Sequence, residues 1–128
     1  MLNATSDSAS PMTEQEIRSE IRRLAPFHHA VELPYGLLSY DPELSRREVE
    51  RTRLNDLGRY VRRILRETFG ESLAGRRILD VACNCGGFSV EAARLGASVL
   101  GIDVVDHYLE QARVIRQALG LAKLDYRK

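Results

Sequence analysis

Ile78-Leu79-Asp80-Val81-Ala82-Cys83-Asn84-Cys85-Gly86-Gly87 is the stretch whose reading decides the fold. An apolar run that ends around an acid and breaks into small residues reads as a buried β-strand opening into a tight loop. From Phe88 to Leu95 the apolar spacing becomes helical, and Gly96-Ala97-Ser98-Val99-Leu100-Gly101-Ile102-Asp103 is a second strand that also ends in an acid. The order is a βαβ unit, and its shape suits a nucleotide-like ligand. A loop of this kind must turn sharply and bring backbone N–H groups close to a ligand. Glycine permits this best, and asparagine is the next most tolerant of left-handed backbone. Free N–H groups at the start of the following helix are expected to favour a carboxylate or a phosphate. Asp103 follows Asp80 by 23 residues, about the spacing that lets a second-strand acid accept hydrogen bonds from ribose hydroxyls.

Asp80-Val81-Ala82-Cys83-Asn84-Cys85-Gly86 resembles the D-x-G-x-G-x-G first motif of class I S-adenosylmethionine (SAM) dependent methyltransferases, and Gly101-Ile102-Asp103 resembles their second. The resemblance implies an α/β, Rossmann-like, doubly wound sheet with SAM as cofactor. It implies Asp80 toward the methionine ammonium group, the backbone of Ala82, Cys83, Asn84, Gly86 and Gly87 along the methionine tail, Phe88 packed beneath the loop, and Asp103 on the ribose. Ala82 and Asn84 stand where the motif has its first two glycines. Ala82 is expected to keep φ below zero, whereas Asn84 can accept the left-handed region. Asp80 also separates the chain from nicotinamide-binding proteins, because a carboxylate two residues before the loop would repel a pyrophosphate.

Further upstream, Pro26-Phe27-His28-His29-Ala30-Val31-Glu32-Leu33-Pro34-Tyr35-Gly36-Leu37 resembles the segment that precedes the cofactor domain in the tRNA wobble-uridine type methyltransferases. That likeness implies transfer of a methyl group to a tRNA nucleoside, with a small metabolite as the next acceptor. The family's full sheet has seven strands, and this chain supplies two and the start of a third at Leu124-Asp125-Tyr126-Arg127-Lys128. The expectation is therefore an amino-terminal fragment, inactive or weakly active alone, with one edge of its first strand unpaired and apolar. Three organisational units follow: a disordered tail at 1–12, a helical and hairpin extension at 13–74, and the partial cofactor domain at 75–128.

Composition bounds the rest. The 128 residues suffice for one core, and a net charge of +1 offers no general attraction to nucleic acid. The arginines between Arg46 and Arg66 are interleaved with glutamates, as on a solvated helix face, with a modest RNA-facing role as the alternative. The apolar runs are far short of a membrane span and Met1–Met12 has no apolar signal region, which points to a cytoplasmic protein. Cys83 and Cys85 are the only cysteines. A disulfide between them would close a strained ring and two thiolates do not make a zinc site, so no metal is expected and both are read as free thiols. They are small loop residues, or else reactive thiols whose pKa is lowered by the helix start.

Around the βαβ unit, Thr13 with Glu16 makes a capping box for a helix carrying Ile17, Ile21 and Leu24 on one face, which Pro26 stops. Pro34-Tyr35-Gly36 marks the turn of a short hairpin between Val31–Leu33 and Leu37–Leu38. Ser45 with Glu48 caps a long helix to Phe69, whose expected buried stripe is Val49, Leu54, Leu57, Val61, Ile64 and Leu65, with Gly70 as its stop. Another helix spans Asp106 to Leu119 and stops at Gly120, with Gln111 read as surface. His28 and His29 are packing or capping residues, or one of them faces the cleft as a base or substrate contact; His107 follows the ribose-binding acid and lines the same site. The rival readings of the whole are a NAD-binding oxidoreductase, a SAM-binding module without catalysis, and a structural fragment that binds neither ligand.

Overall fold

A computed structural model describes residues 12–40 and 48–128, with the side chains of 48–56 outside the description. Three strands, β1 (Arg77–Val81), β2 (Ser98–Ile102) and β3 (Leu124–Arg127), form one parallel sheet in the order β1-β2-β3. They alternate with α3 (Gly87–Arg94) and α4 (Asp106–Leu119), preceded by α1 (Glu14–Leu24) and α2 (Glu48–Phe69). The fold is the expected α/β arrangement. Two helix boundaries show a clear local cause. Thr13 and Glu16 close the capping box that starts α1, and Met12 and Ile17, at the two positions of a hydrophobic staple, are both buried. Gly120 ends α4 in the left-handed region with its N–H on the last turn.

The sheet is covered unequally. Ile78, Val99, Leu124 and Tyr126 lie in or against the core that α1, α3 and α4 complete, while Leu79 and Val81, pointing the other way, are 57% and 66% exposed. β1 is an edge strand among the described residues, and beside Arg77 its outward face exposes the apolar Leu79 and Val81.

Three expectations need correction. The long helix ends at Phe69 with Gly70 beyond it in positive φ, but its stripe is not buried. Leu57 and Ile64 are 42% and 40% exposed and Val61 and Leu65 are half-buried. The reason is that α2 meets the described structure along α3, through the ion pair of Arg62 with Glu91, rather than lying across the sheet. Ser45, Val49 and Leu54 fall outside the described side chains. The hairpin reduces to one antiparallel bridge, Glu32 to Leu38, around a 3-10 turn at Pro34–Gly36. The Leu33 N–H donates to the Leu37 carbonyl at 2.8 Å and the Ser39 N–H to the Val31 carbonyl at 3.0 Å, but the Val31 N–H turns to the Ser39 Oγ at 2.8 Å instead of a carbonyl, so no regular ladder forms.

Gln111 is fully buried rather than on the surface. Its Nε2 donates to the carbonyl oxygens of Leu24 at 2.7 Å and Pro26 at 2.9 Å, satisfying acceptors left over where α1 stops. The α1 exit is thereby tied to α4. Replacing Gln111 with Met keeps the volume and removes both donors, so urea denaturation should show a loss of about 1 to 3 kcal/mol. Unchanged stability would mean that the tie contributes nothing.

Candidate cofactor site

Register places the site. Asp80 pairs with Gly101 and Val81 with Ile102, and the Cys83 N–H reaches the Ile102 carbonyl at 2.9 Å, so β1 stays bound to β2 as it passes into the loop. Asp103, one residue past β2, therefore sits beside the loop. Its Oδ2 accepts the Asn84 N–H at 2.8 Å and its Oδ1 the Val105 N–H at 2.9 Å. The Val105 N–H holds this carboxyl below its usual range; burial opposes it, and the Asn84 and Val104 N–H groups add to the lowering. Asp80 accepts the Ser89 hydroxyl at 2.6 Å, which fixes its carboxylate against the first turn of α3.

The loop follows a path made for glycine. Ala82, Asn84 and Gly86 have φ of 58°, 54° and 82°. The three positions where the resembling motif has glycines are thus all left-handed, and the expectation that Ala82 stays at negative φ is wrong. An alanine there costs about 1 to 2 kcal/mol, and it is held by the ladder bonds on both sides of it. Gly86 and Gly101 have a second reason to be glycine. A Cβ at either would lie 2.1 Å from the Tyr126 Oη or 2.6 Å from its Cδ1, because that ring from β3 packs across both.

The expected free N–H groups are largely occupied. Asn84 donates to Asp103, Cys85 to the Asn84 Oδ1 at 2.7 Å, Gly86 to the Cys83 carbonyl at 2.9 Å and Gly87 to the His29 Nδ1 at 2.9 Å. Phe88 does not simply lie under the loop: its ring stacks on His29 with centroids 5.0 Å apart. His28 meets the loop as well, its Nδ1 lying 3.0 Å from the Asn84 Nδ2 and its ring edge-on to Tyr108. His107 is exposed, beside Tyr108.

Cys83 and Cys85 are free and buried. Burial, with Asp80 and Asp103 adding, pushes the Cys83 thiol up to about 12, and burial pushes Cys85 up to about 11. The reactive-thiol reading fails on this, since desolvation and nearby carboxylates outweigh the helix dipole. Among the described residues no cluster of three or more His, Cys, Asp or Glu could hold a metal.

The sequence reading missed Ser89 and Tyr126 as parts of this site; of the histidines it placed at most one in the cleft, whereas both meet the loop. Ser89 had a signal, lying three residues into the helix after Gly86, within reach of the preceding strand end. Tyr126 had none, because its role depends on β3 lying next to β2.

Among solved structures, the amino-terminal domain of EvdMO1 in the presence of S-adenosylhomocysteine (SAH) and D-fucose matches with a TM-score of 0.66 at 22% identity, covering 91% of this chain and 45% of that one. The fold is part of the class I, Rossmann-like methyltransferase fold. A putative O-methyltransferase from Klebsiella pneumoniae also matches, with a TM-score of 0.51 at 16% identity over 93% of this chain and 44% of that one. In sequence, the chain is 44% identical over 52 residues to the 23S rRNA (uracil(1939)-C(5))-methyltransferase RlmD of Shewanella sp. (strain ANA-3), which is 41% of this chain and 12% of that relative. It is 42% identical over 50 residues to the SAM-dependent Diels-Alderase iccD of Talaromyces variabilis, covering 39% of this chain and 17% of that relative. The chain therefore spans under a fifth of the curated relatives it matches. No family model matches it.

Two measurements check the loop. Ala82→Gly should raise stability by roughly 1 kcal/mol in urea denaturation, because it relieves a left-handed alanine; a loss would mean that the alanine methyl group makes a contact worth more than the strain. Iodoacetamide at about pH 8 should leave both thiols of the native chain unmodified and label both after unfolding, read by mass spectrometry.

Proposed function

We propose that this chain forms the methyl-donor half of a SAM-dependent methyltransferase. The observation that carries the reading is the pair of acids, Asp80 and Asp103, at adjacent strand ends on either side of a loop left-handed at 82, 84 and 86. Asp80, held by Ser89, faces the methionine ammonium group, and Asp103, already an acceptor from two N–H groups, takes the ribose hydroxyls on its remaining lone pairs. The backbone of Ala82, Cys83, Asn84, Gly86 and Gly87 runs along the methionine tail, with Phe88 behind it. Val104, 82% exposed directly after Asp103, offers an apolar face to the base. When bound, SAM supplies an electrophilic methyl group on a sulfonium leaving group, so the protein's part is to hold donor and acceptor in line.

The donor chemistry fits these residues better than a dinucleotide does. Two carboxylates suit an ammonium group and hydroxyls, whereas a pyrophosphate would meet Asp80 and find the Gly87 N–H already bound to His29. In this reading residues 75–128 are the cofactor part and 13–74 the extension that braces it. The acceptor is a nucleoside of RNA, tRNA first, supported by the likeness of Pro26–Leu37 to the wobble-uridine enzymes and by the RNA substrate of the RlmD relatives. The setting is cytoplasmic; no helix among the described residues is long and apolar enough to cross a membrane.

Titration calorimetry with SAH, and with NAD as control, tests the donor site. Saturable SAH binding without NAD binding is expected, and Asp103→Ala should weaken it by about 1 to 3 kcal/mol through the lost ribose hydrogen bonds. NAD binding alone would replace this reading with an oxidoreductase, and binding of neither would leave a structural fragment. Transfer of labelled methyl from SAM to bulk tRNA tests the acceptor: SAH binding without transfer identifies a donor-binding module.

A further inference from the structure

We infer that His28 and His29 are positioning residues for the donor loop, holding it through two Nδ1 acceptors that work only while both rings are neutral. The inference rests on the reading of that loop as the SAM site. Both contacts are fixed in sense by their partners. Asn84 uses its Oδ1 to accept the Cys85 N–H at 2.7 Å, so it is the donating Nδ2 that faces the His28 Nδ1 at 3.0 Å. The Gly87 N–H can only donate, and it lies 2.9 Å from the His29 Nδ1. A neutral imidazole has one N–H, which both rings must therefore carry on Nε2. Protonation puts a hydrogen on Nδ1 facing another donor, and each contact turns from attraction to repulsion.

The segment bearing the histidines is anchored at both ends, so the rings reach the loop without ordering a free strand of chain. Gln111 holds the Pro26 carbonyl at 2.9 Å, and the Ser39 hydroxyl donates to the His29 carbonyl at 2.6 Å while accepting the Val31 N–H. The His29 N–H itself donates to the Cys85 Sγ at 3.3 Å. The fit at Gly87 is close: a Cβ there would lie 2.6 Å from the His29 Nδ1, so the residue is glycine to let the ring cap α3.

The charges around the pair set the direction of the pH response. His29 faces Asp80 of β1, the neighbouring His28, Cys85, and a small crevice shared with Gly58 of α2 and Glu91 of α3, the latter neutralised by Arg62. His28 faces Asn84 and Tyr108, with His107 next along α4. Burial lowers the His29 pKa, Asp80 opposes this and His28 adds to it. A histidine lowered in the folded state contributes stability that is present above its unfolded value and lost as pH falls through the lower folded one. The loop should therefore be held at neutral pH and released in acid.

The test compares the 128-residue chain with a His28→Asn/His29→Asn double variant, whose amide oxygens can accept at the Nδ1 positions without titrating. SAH affinity of the unaltered chain should fall by about tenfold between about pH 8 and about pH 5.5, the equivalent of one pKa unit of coupling. The variant should lose that dependence, whatever its affinity at the higher pH; whatever Asp80 and Asp103 contribute is common to both proteins. Equal pH slopes in the two, or affinity that rises in acid, would overturn the inference. A second measurement needs no ligand: in nitrogen-15 NMR the Gly87 amide should follow a histidine titration in the unaltered chain and not in the variant. A Gly87 amide indifferent to pH overturns the inference even if SAH binds, whereas a titrating amide with no SAH binding at any pH overturns the cofactor reading alone.

Discussion

Everything at the candidate site depends on the pairing of β1 with β2 being carried one step beyond the strands. Asp80 opposite Gly101, Val81 opposite Ile102, and then Cys83 on the Ile102 carbonyl bring two acids that are distant in sequence to the two sides of one loop. Register in a sheet with one covered face is strongly specified, because a slip of one residue turns every side chain over. Here such a slip would send Asp80 to the open face, out of reach of Ser89, turn Leu79 and Val81 inward, and move Asp103 away from the Asn84 N–H. The burial of Ile78, Val99 and Leu124 against the helices is thus what holds the two carboxylates in place.

The loop between them is built to be stiff. Four successive N–H groups donate within the protein, and the left-handed turns at 82, 84 and 86 are stabilised by those bonds rather than by glycine at each position. Tyr126 packs across Gly86 and Gly101 from the third strand, and His28 and His29 close the loop from the side of the extension. The extension is therefore part of the site. Gln111 and Ser39 hold the histidine segment at its two ends through backbone carbonyls, which ties the exit of α1 to the loop.

The sequence was legible wherever neighbouring residues alone decide the outcome. The capping box at Thr13 and Glu16, the stop at Gly120 and the three strands follow from periodicity and local stereochemistry, and all are in the structure. Asp80 and Asp103 were legible from spacing, since two strands joined by a helix must end on the same side. The stripe on α2 was misread because periodicity shows which residues share a face and not whether anything covers that face. Gln111 was misread for the converse reason. A polar residue on a helix is taken as exposed until the carbonyls that need its amide, at Leu24 and Pro26, are brought to it from more than eighty positions away.

The amino-acid sequence by itself determined a βαβ unit with an acid at each strand end, because strand and helix periods and the turn residues between them are local properties. Only the tertiary structure decided that alanine takes up the left-handed turn at 82, that the thiols of Cys83 and Cys85 are buried and desolvated, and that two histidines from the extension meet the loop. Each of these depends on groups far apart in the chain, and the free energies that settle them, desolvation and hydrogen bonds across elements, exist only once the chain has packed.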